Sequence, residues 1–285
     1  MGKMYFCNMK QKVILITGAS SGIGYDAAQS LAVEGHKVYA AARRVGKMES
    51  LKTSGIVPIK MDVTDEQSMV EGVKYILDKE GRIDVLINNA GYGYFGAVEN
   101  VTMEEARRQL DVNVFGLARL CQMVLPSMRA QHWGRIINLS SVAGRSVIYF
   151  GGWYHVSKYS VEALSDAMRM ELKPFGIDVV KIEPGAIKTD WGLIAADHLR
   201  ASSEGTPYEA EGIRWANAMR WGYNSKYLSS PKVITRTILR AVDSRRPRTR
   251  YCTGRFARLL LFFHALLPAR WWDVLMRAGG HLKIS

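Results

Sequence analysis

The chain has 285 residues, 48% of them hydrophobic and 23% charged, with a formal net charge of +13. That length and balance suit one large α/β domain or two small ones and exclude a disordered or fibrous chain. Cys7, Cys121 and Cys252 stand without pairing or metal-ligand spacing, which argues against disulfides and any metal site and favours a reducing, cytoplasmic compartment.

Lys12 to Ile16 is a continuous apolar run and predicts a buried parallel strand. It is too short for a signal-peptide core. It leads into Thr17-Gly-Ala-Ser-Ser-Gly-Ile-Gly24 and then a helical pattern that ends near Glu34-Gly35. Strand, glycine-rich turn and helix form the context that a dinucleotide site requires. Its glycines let backbone approach a pyrophosphate, and the helix N-terminus faces the negative charge. Gly18, Ser20, Ser21, Gly22, Ile23 and Gly24 are therefore candidate cofactor contacts.

His36 to Ala42 predicts the next strand, which ends at Arg43-Arg44. A site for NAD is expected to show an acid near this point, and none occurs between His36 and Lys47. Two arginines suit a 2′-phosphate, so NADP (NADPH) is the expected cofactor. Further units follow: a strand from Ile56 to Lys60, a helix from Asp65 to Glu80, and a strand from Asp84 to Ile87 that runs into Asn88-Asn-Ala-Gly91. A long helix is predicted from Met103 to about Ala130, then a strand from Arg135 to Leu139 that ends in Ser140-Ser141. A helix carrying Tyr154 and Lys158 extends to about Leu172, and a strand from Ile177 to Ile182 ends in Glu183-Pro184-Gly185. This alternation implies an α/β fold with a single doubly wound parallel sheet, a Rossmann fold with helices on both faces, whose ligands sit at the strands' C-terminal ends.

Tyr154 and Lys158 lie one helical turn apart on one face. A phenol ionises near pH 10, and an adjacent ammonium favours its phenolate. That makes the pair a candidate acid/base unit.

With these motifs in order, the sequence resembles the short-chain dehydrogenase/reductase family over about residues 11–255. The resemblance rests on Thr17 to Gly24, Asn88 to Gly91 and Tyr154-x-x-x-Lys158. It implies that Tyr154 is the general acid/base, and that Lys158 lowers its pKa and binds the nicotinamide ribose. Ser141, thirteen residues before the tyrosine, would orient the carbonyl, with Ser140 facing away. Asn113 would hold a proton-relay water at a helix irregularity. Asp62 and Val63 correspond to adenine contacts, Asn89, Ala90 and Gly91 to the cofactor-side loop, and Pro184, Gly185, Ile187 and Thr189 to the nicotinamide region. The branch most similar is that of the retinol and hydroxysteroid dehydrogenases.

Residues 187–225 form a long connection rich in Trp191, Tyr208, Trp215 and Trp221, placed as a substrate lid. With Tyr92, Tyr94, Phe95, Tyr149, Phe150 and Trp153 they predict an apolar pocket for a bulky steroid-, retinoid- or lipid-like alcohol or ketone. A 3-oxoacyl thioester is the alternative substrate, and a catalytically silent NADP-sensing regulator is the rival from outside catalysis. A helix is predicted over 231–242 and a last strand over Thr249 to Cys252. Residues 232–285 hold twelve Lys/Arg against two Asp/Glu, so the chain's basicity belongs to its end. The extension 255–285 is basic, apolar and aromatic, as expected of a peripheral membrane contact or a helix docking on the lid or a second subunit. No stretch reaches the roughly eighteen apolar residues of a membrane span. Homo-oligomerisation fits this reading, and nucleic-acid binding does not, because no recognised motif accompanies the charge.

Overall fold

The first strand, β1 (Val13–Thr17), is buried at every position, as an unbroken apolar run requires when both faces of a sheet are covered. The computed structural model describes residues 11–225 and 228–278; Cys7 and residues 279–285 of the expected extension lie outside the described residues. After β1 come α1 (Gly22–Val33), β2 (Lys37–Ala42), a 3-10 segment (Val45–Ser54), β3 (Val57–Lys60), α2 (Glu66–Glu80) and β4 (Val85–Asn88). Next are α3 (Met103–Leu110), a π-helical turn (Asp111–Phe115), α4 (Gly116–Ala130), β5 (Gly134–Leu139), α5 (Gly152–Leu172) and β6 (Ile177–Pro184). The chain continues through α6 (Trp191–Ser203), α7 (Glu209–Asn224), α8 (Pro231–Asp243), β7 (Arg250–Thr253), α9 (Ala257–Leu266) and α10 (Ala269–Ala278).

The strands form one seven-stranded sheet in the order β3-β2-β1-β4-β5-β6-β7, with every neighbouring pair parallel. The order runs outwards in opposite directions from the β1/β4 boundary, so a crevice opens at the C-terminal ends of those two strands. Alternation along β1 splits the core into two layers. Ile14 and Ile16 pack with Ala27 and Leu31 of α1 and Ile234 and Ile238 of α8. Val13 and Leu15 pack with Val73 and Ile76 of α2 and Leu120 and Val124 of α4. A third cluster joins Phe95, Phe150 and Tyr154 to Ala195, Ala196 and Leu199 of α6, outside the sheet's active edge.

Local chemistry explains the helix limits. Asp65 caps α2 by accepting a hydrogen bond from Ser68 N at 3.2 Å, and Gly81 ends that helix with φ of 70°. Arg135, 2% exposed on β5, donates from Nη1 to the carbonyls of Ala241, Val242 and Ser244 at 2.7–2.9 Å and so closes the end of α8 against the sheet.

The structure adds detail to two sequence expectations. The single helix expected from Met103 to Ala130 is divided by the π turn, where α4 approaches β3's end so closely that a Cβ on Gly116 would collide with Val63 O. The connection over 187–225 carries two helices, α6 and α7, whose weak amphipathic pattern reflects packing on each other rather than on the sheet.

Candidate functional site

β1 delivers the glycine turn to the crevice. Gly18 and Gly22 hold φ of 66° and 58°, a left-handed backbone that glycine adopts without cost. Asn89 at the end of β4 ties the turn down: its Nδ2 donates to Thr17 O at 2.9 Å and Gly18 O at 3.2 Å. Thr17 Oγ1 accepts from Asn89 N and Ala90 N at 3.1 and 3.0 Å. Ser21 and Gly22 are exposed, while Ile23 packs against the core. No side chain caps the start of α1, and its first turn holds no acid. Its free N–H groups and positive dipole end therefore point outwards, an arrangement that fits a pyrophosphate.

Gly24→Ala tests this turn. The added Cβ would stand 2.6 Å from Gly18 O and 2.5 Å from Asn89 Nδ2, so backbone must shift. A loss of about 1–3 kcal/mol of stability is expected, measured by denaturant unfolding, together with weakened dinucleotide binding.

At β2's end Arg43 and Arg44 are both exposed, and Arg44 Nη2 lies 3.5 Å from Ser20 Oγ, beside the glycine turn. Asp62 Oδ1 accepts from Thr64 N and Oγ1 at 3.0 and 2.8 Å, which shapes the bend carrying the buried Val63. On the other side of the crevice Pro184 ends β6, Gly185 N donates to Thr253 O at 2.9 Å, and Ile187 is buried. Thr189 Cγ2 would lie 3.6 Å from a Cβ on Gly22, so this loop passes over the phosphate turn. The cofactor candidates thus line one continuous edge.

Tyr154 and Lys158 lie on α5, whose buried face meets β6 and the end of β5. Lys158 Nζ donates to Leu139 O at 2.8 Å and stands 6.0 Å from the centre of the Tyr154 ring. Ser141 Oγ accepts from Ala143 N at 3.1 Å, donates towards Pro184 O at 3.4 Å and hydrogen-bonds the Tyr154 side chain. Ser140 Oγ is turned elsewhere, 2.9 Å from where a Cβ on Gly144 would stand. Asn113 sits in the π turn. Its Nδ2 donates to Tyr92 O at 2.9 Å and Ser157 Oγ at 3.0 Å, and its Oδ1 accepts from Tyr92 N at 3.0 Å. A Cβ on Gly91 would lie 3.1 Å from Asn113 Oδ1 and 3.7 Å from Lys158 Nζ, so glycine leaves room where these groups converge.

Two positioning residues escaped the sequence reading. Ser157 links Asn113 to α5 by donating to Tyr154 O at 2.7 Å. His155 accepts from Ile148 N at 3.0 Å and bonds Ala143 O at 2.8 Å through Nδ1, which pins the Ser141 loop to the helix. Burial lowers the His155 pKa, in keeping with a neutral ring that donates from Nδ1 and accepts at Nε2. The only sequence signal was their adjacency to Tyr154 and Lys158.

The acid/base candidates are enclosed by protein. Tyr154 is 8% exposed, with the Trp191 and Phe95 rings at 5.0 and 5.7 Å. Burial pushes its phenol up to about 12, opposed by the hydrogen bond with Ser141. Burial also lowers Lys158 to about 8, opposed by Glu162 one turn away. The sequence expected Lys158 to depress the phenol. In this closed arrangement burial dominates both groups, because it disfavours the charged form of each.

A family model described as short chain dehydrogenase matches residues 12–195. The chain is 38% identical over 263 residues to a probable short-chain type dehydrogenase/reductase of Helicobacter pylori, covering 92% of this chain and 96% of that one. It is 43% identical over 185 residues to a 3-ketodihydrosphingosine reductase of Bacteroides thetaiotaomicron, covering 64% and 66% of the two chains. The fold matches a crystal structure of a short-chain dehydrogenase from Streptomyces avermitilis with a TM-score of 0.79 at 30% identity, over 94% of this chain and 99% of that one. A metagenomic short-chain oxidoreductase solved in complex with NADP matches with a TM-score of 0.59 at 30% identity, over 62% and 84%. The family model and a relative matched over almost the whole length agree, and the chain belongs to the short-chain dehydrogenase/reductase family of oxidoreductases.

Proposed function

We propose that the protein is an NADP-dependent reductase of ketones or aldehydes on bulky, hydrophobic, lipid-like molecules. The observation that carries this reading is Tyr154, a buried phenol held beside Ser141 and Lys158 and covered by Trp191 of α6 and by Phe95. Bound along the glycine-turn edge, the nicotinamide cofactor supplies the hydride. The protein's own groups do the rest. Ser141 and Tyr154 donate towards the carbonyl oxygen as negative charge develops on it. A phenol raised to about 12 keeps its proton at neutral pH until an alkoxide forms to take it, which suits reduction better than oxidation. Lys158 supplies positive charge behind the phenol. Ser157 and Asn113 hold the helix and the π turn in register.

The choice of NADP is supported by the exposed Arg43 and Arg44 next to Ser20, and by the NADP complex of the metagenomic relative. Arg43→Ala should weaken NADPH binding about 10- to 100-fold, the range of one charged hydrogen bond, and leave NADH binding nearly unchanged. Fluorescence titration of both nucleotides measures this, and equal losses would remove the cofactor assignment.

The substrate class is supported by the aromatic cover. Tyr149 stacks on Phe150 at 4.0 Å and meets Trp215 at 6.1 Å, and Trp191 adjoins both Phe95 and Tyr154. Entry to Tyr154 requires α6 to move, so residues 187–225 act as a lid. The relative named as a 3-ketodihydrosphingosine reductase favours a lipid-like ketone over a steroid or retinoid. An NADPH-consumption screen should include 3-ketodihydrosphingosine, steroids, retinoids, aliphatic ketones and 3-oxoacyl thioesters. Turnover confined to thioesters would replace the substrate class. NADPH binding with no turnover on any of them would favour the sensing regulator.

A further inference from the structure

Helices α9 and α10 are turned inside out relative to ordinary surface helices. Leu259, Phe262, Phe263 and Leu266 recur at the spacing that normally faces a core, yet each is 41–64% exposed. Trp271, Val274 and Leu275 make a matching stripe on α10 at 47–68% exposure. The parts that face the protein are few. Ala257 lies against Gly185, and Trp272, 6% exposed, donates from Nε1 to Val147 O at 2.8 Å. Phe256, which starts α9, holds φ of 60°, a conformation that costs a bulky residue about 1–2 kcal/mol, and is 63% exposed.

Charge decides what covers this surface. Residues 255–278 carry Arg255, Arg258, Arg270 and Arg277 against Asp273 alone, and all five are exposed. Aromatic and aliphatic side chains bordered by arginine match the boundary of an anionic bilayer, where chains enter the acyl region and guanidinium groups meet phosphate. Each helix has ten residues and spans about 15 Å, and among the described residues no helix is long and apolar enough to cross a membrane.

We propose that α9 and α10 together form an interfacial element that docks the protein on an anionic lipid surface. The two helices rest on Val147 and Gly185, at the rim of the candidate site, and Arg277 lies 5.8 Å from the ring of Tyr149. Docking therefore brings the rim of the candidate site near the lipid. That a substrate enters from the bilayer rests on the reductase reading above; the docking itself does not.

The test uses the full chain and vesicles without substrate, so its failure is separate from failure of the reductase reading. Sedimentation compares pure phosphatidylcholine vesicles with vesicles that also contain phosphatidylserine. The expected result is partitioning onto the anionic vesicles that falls at high salt and falls at least tenfold in F262S/L266S and in R258E/R270E. These side chains are exposed, and unchanged circular dichroism and NADPH binding verify that the variants fold. Quenching by brominated lipids that is lost in W271F gives a second readout on a singly altered chain. Equal recovery in the supernatant with both vesicle types would overturn the proposal. So would a concentration-dependent dimer that F262S/L266S dissociates while vesicle binding is absent, since the occupant would then be a second copy of the chain.

Discussion

Tyr154→Phe should lower carbonyl-reduction turnover roughly 10²- to 10⁴-fold, the range for losing a positioned acid, while NADPH binding stays within a few-fold of the unmodified protein. The ring contacts with Trp191 and Phe95 survive the change, so the variant keeps the closed site and loses only the hydroxyl. The same proton predicts the pH response. The phenol's raised pKa, about 12, means the acid form persists across the neutral range, and alcohol oxidation, which needs the phenolate, should keep rising with pH above neutrality. Lys158 works in the opposite sense. As a base lowered to about 8, it carries charge below that pH and loses it above, so reduction should decline through that region. Steady-state kinetics in both directions and a fluorescence titration of NADPH measure these effects. Full reductase activity in Tyr154→Phe would overturn the acid/base assignment.

The sheet and its active edge were legible because continuous apolar strands and glycine turns are local signals. Val13 to Ile16 had to be covered on both faces, and the glycines at 18 and 24 announced a close approach whose protein partner, Asn89, lies far along the chain. The spacing of Ser141, Tyr154 and Lys158 led to side chains that do meet. What could not be read depends on long-range packing. The irregularity expected at Asn113 is the π turn, but the close approach of Val63 O to Gly116 beside it has no local signal. The height of the Tyr154 pKa comes from Trp191, Phe95 and the rest of the cover, whose fold over the phenol no spacing encodes. The tail's composition indicated an amphipathic surface, and only the coordinates show that its apolar stripes face away from the protein.

Lys181→Met should destabilise the protein by about 3–5 kcal/mol, the cost of breaking a buried ion pair by removing one partner. Lys181, 2% exposed on β6, reaches Glu162 at 2.9 Å and Asp166 at 2.6 Å. Arg250 on β7 extends the cluster to Glu162 at 2.8 Å, and its Nε lies 2.5 Å from Glu183 without hydrogen-bond alignment. Arg145 completes it at 3.3 Å from Glu183. Glu162, Asp166 and Glu183 thus balance Lys181, Arg250 and Arg145, and removing Lys181 leaves the acids in excess around the buried Glu162 and Glu183. Stability measured by denaturant should recover in part in K181M/E162Q, where the orphaned carboxylate is gone, and strict additivity of the two changes would show that the pair is not coupled. Glu162→Gln has a distinct kinetic signature. Glu162 lies one turn beyond Lys158 and raises its pKa, so losing that carboxylate lowers Lys158 further. The decline of reduction should therefore move to lower pH in Glu162→Gln, whereas a purely structural role for Glu162 would lower activity evenly across the profile. The cluster would then connect the β6/β7 edge of the sheet to the protonation of the candidate acid/base pair through one face of α5.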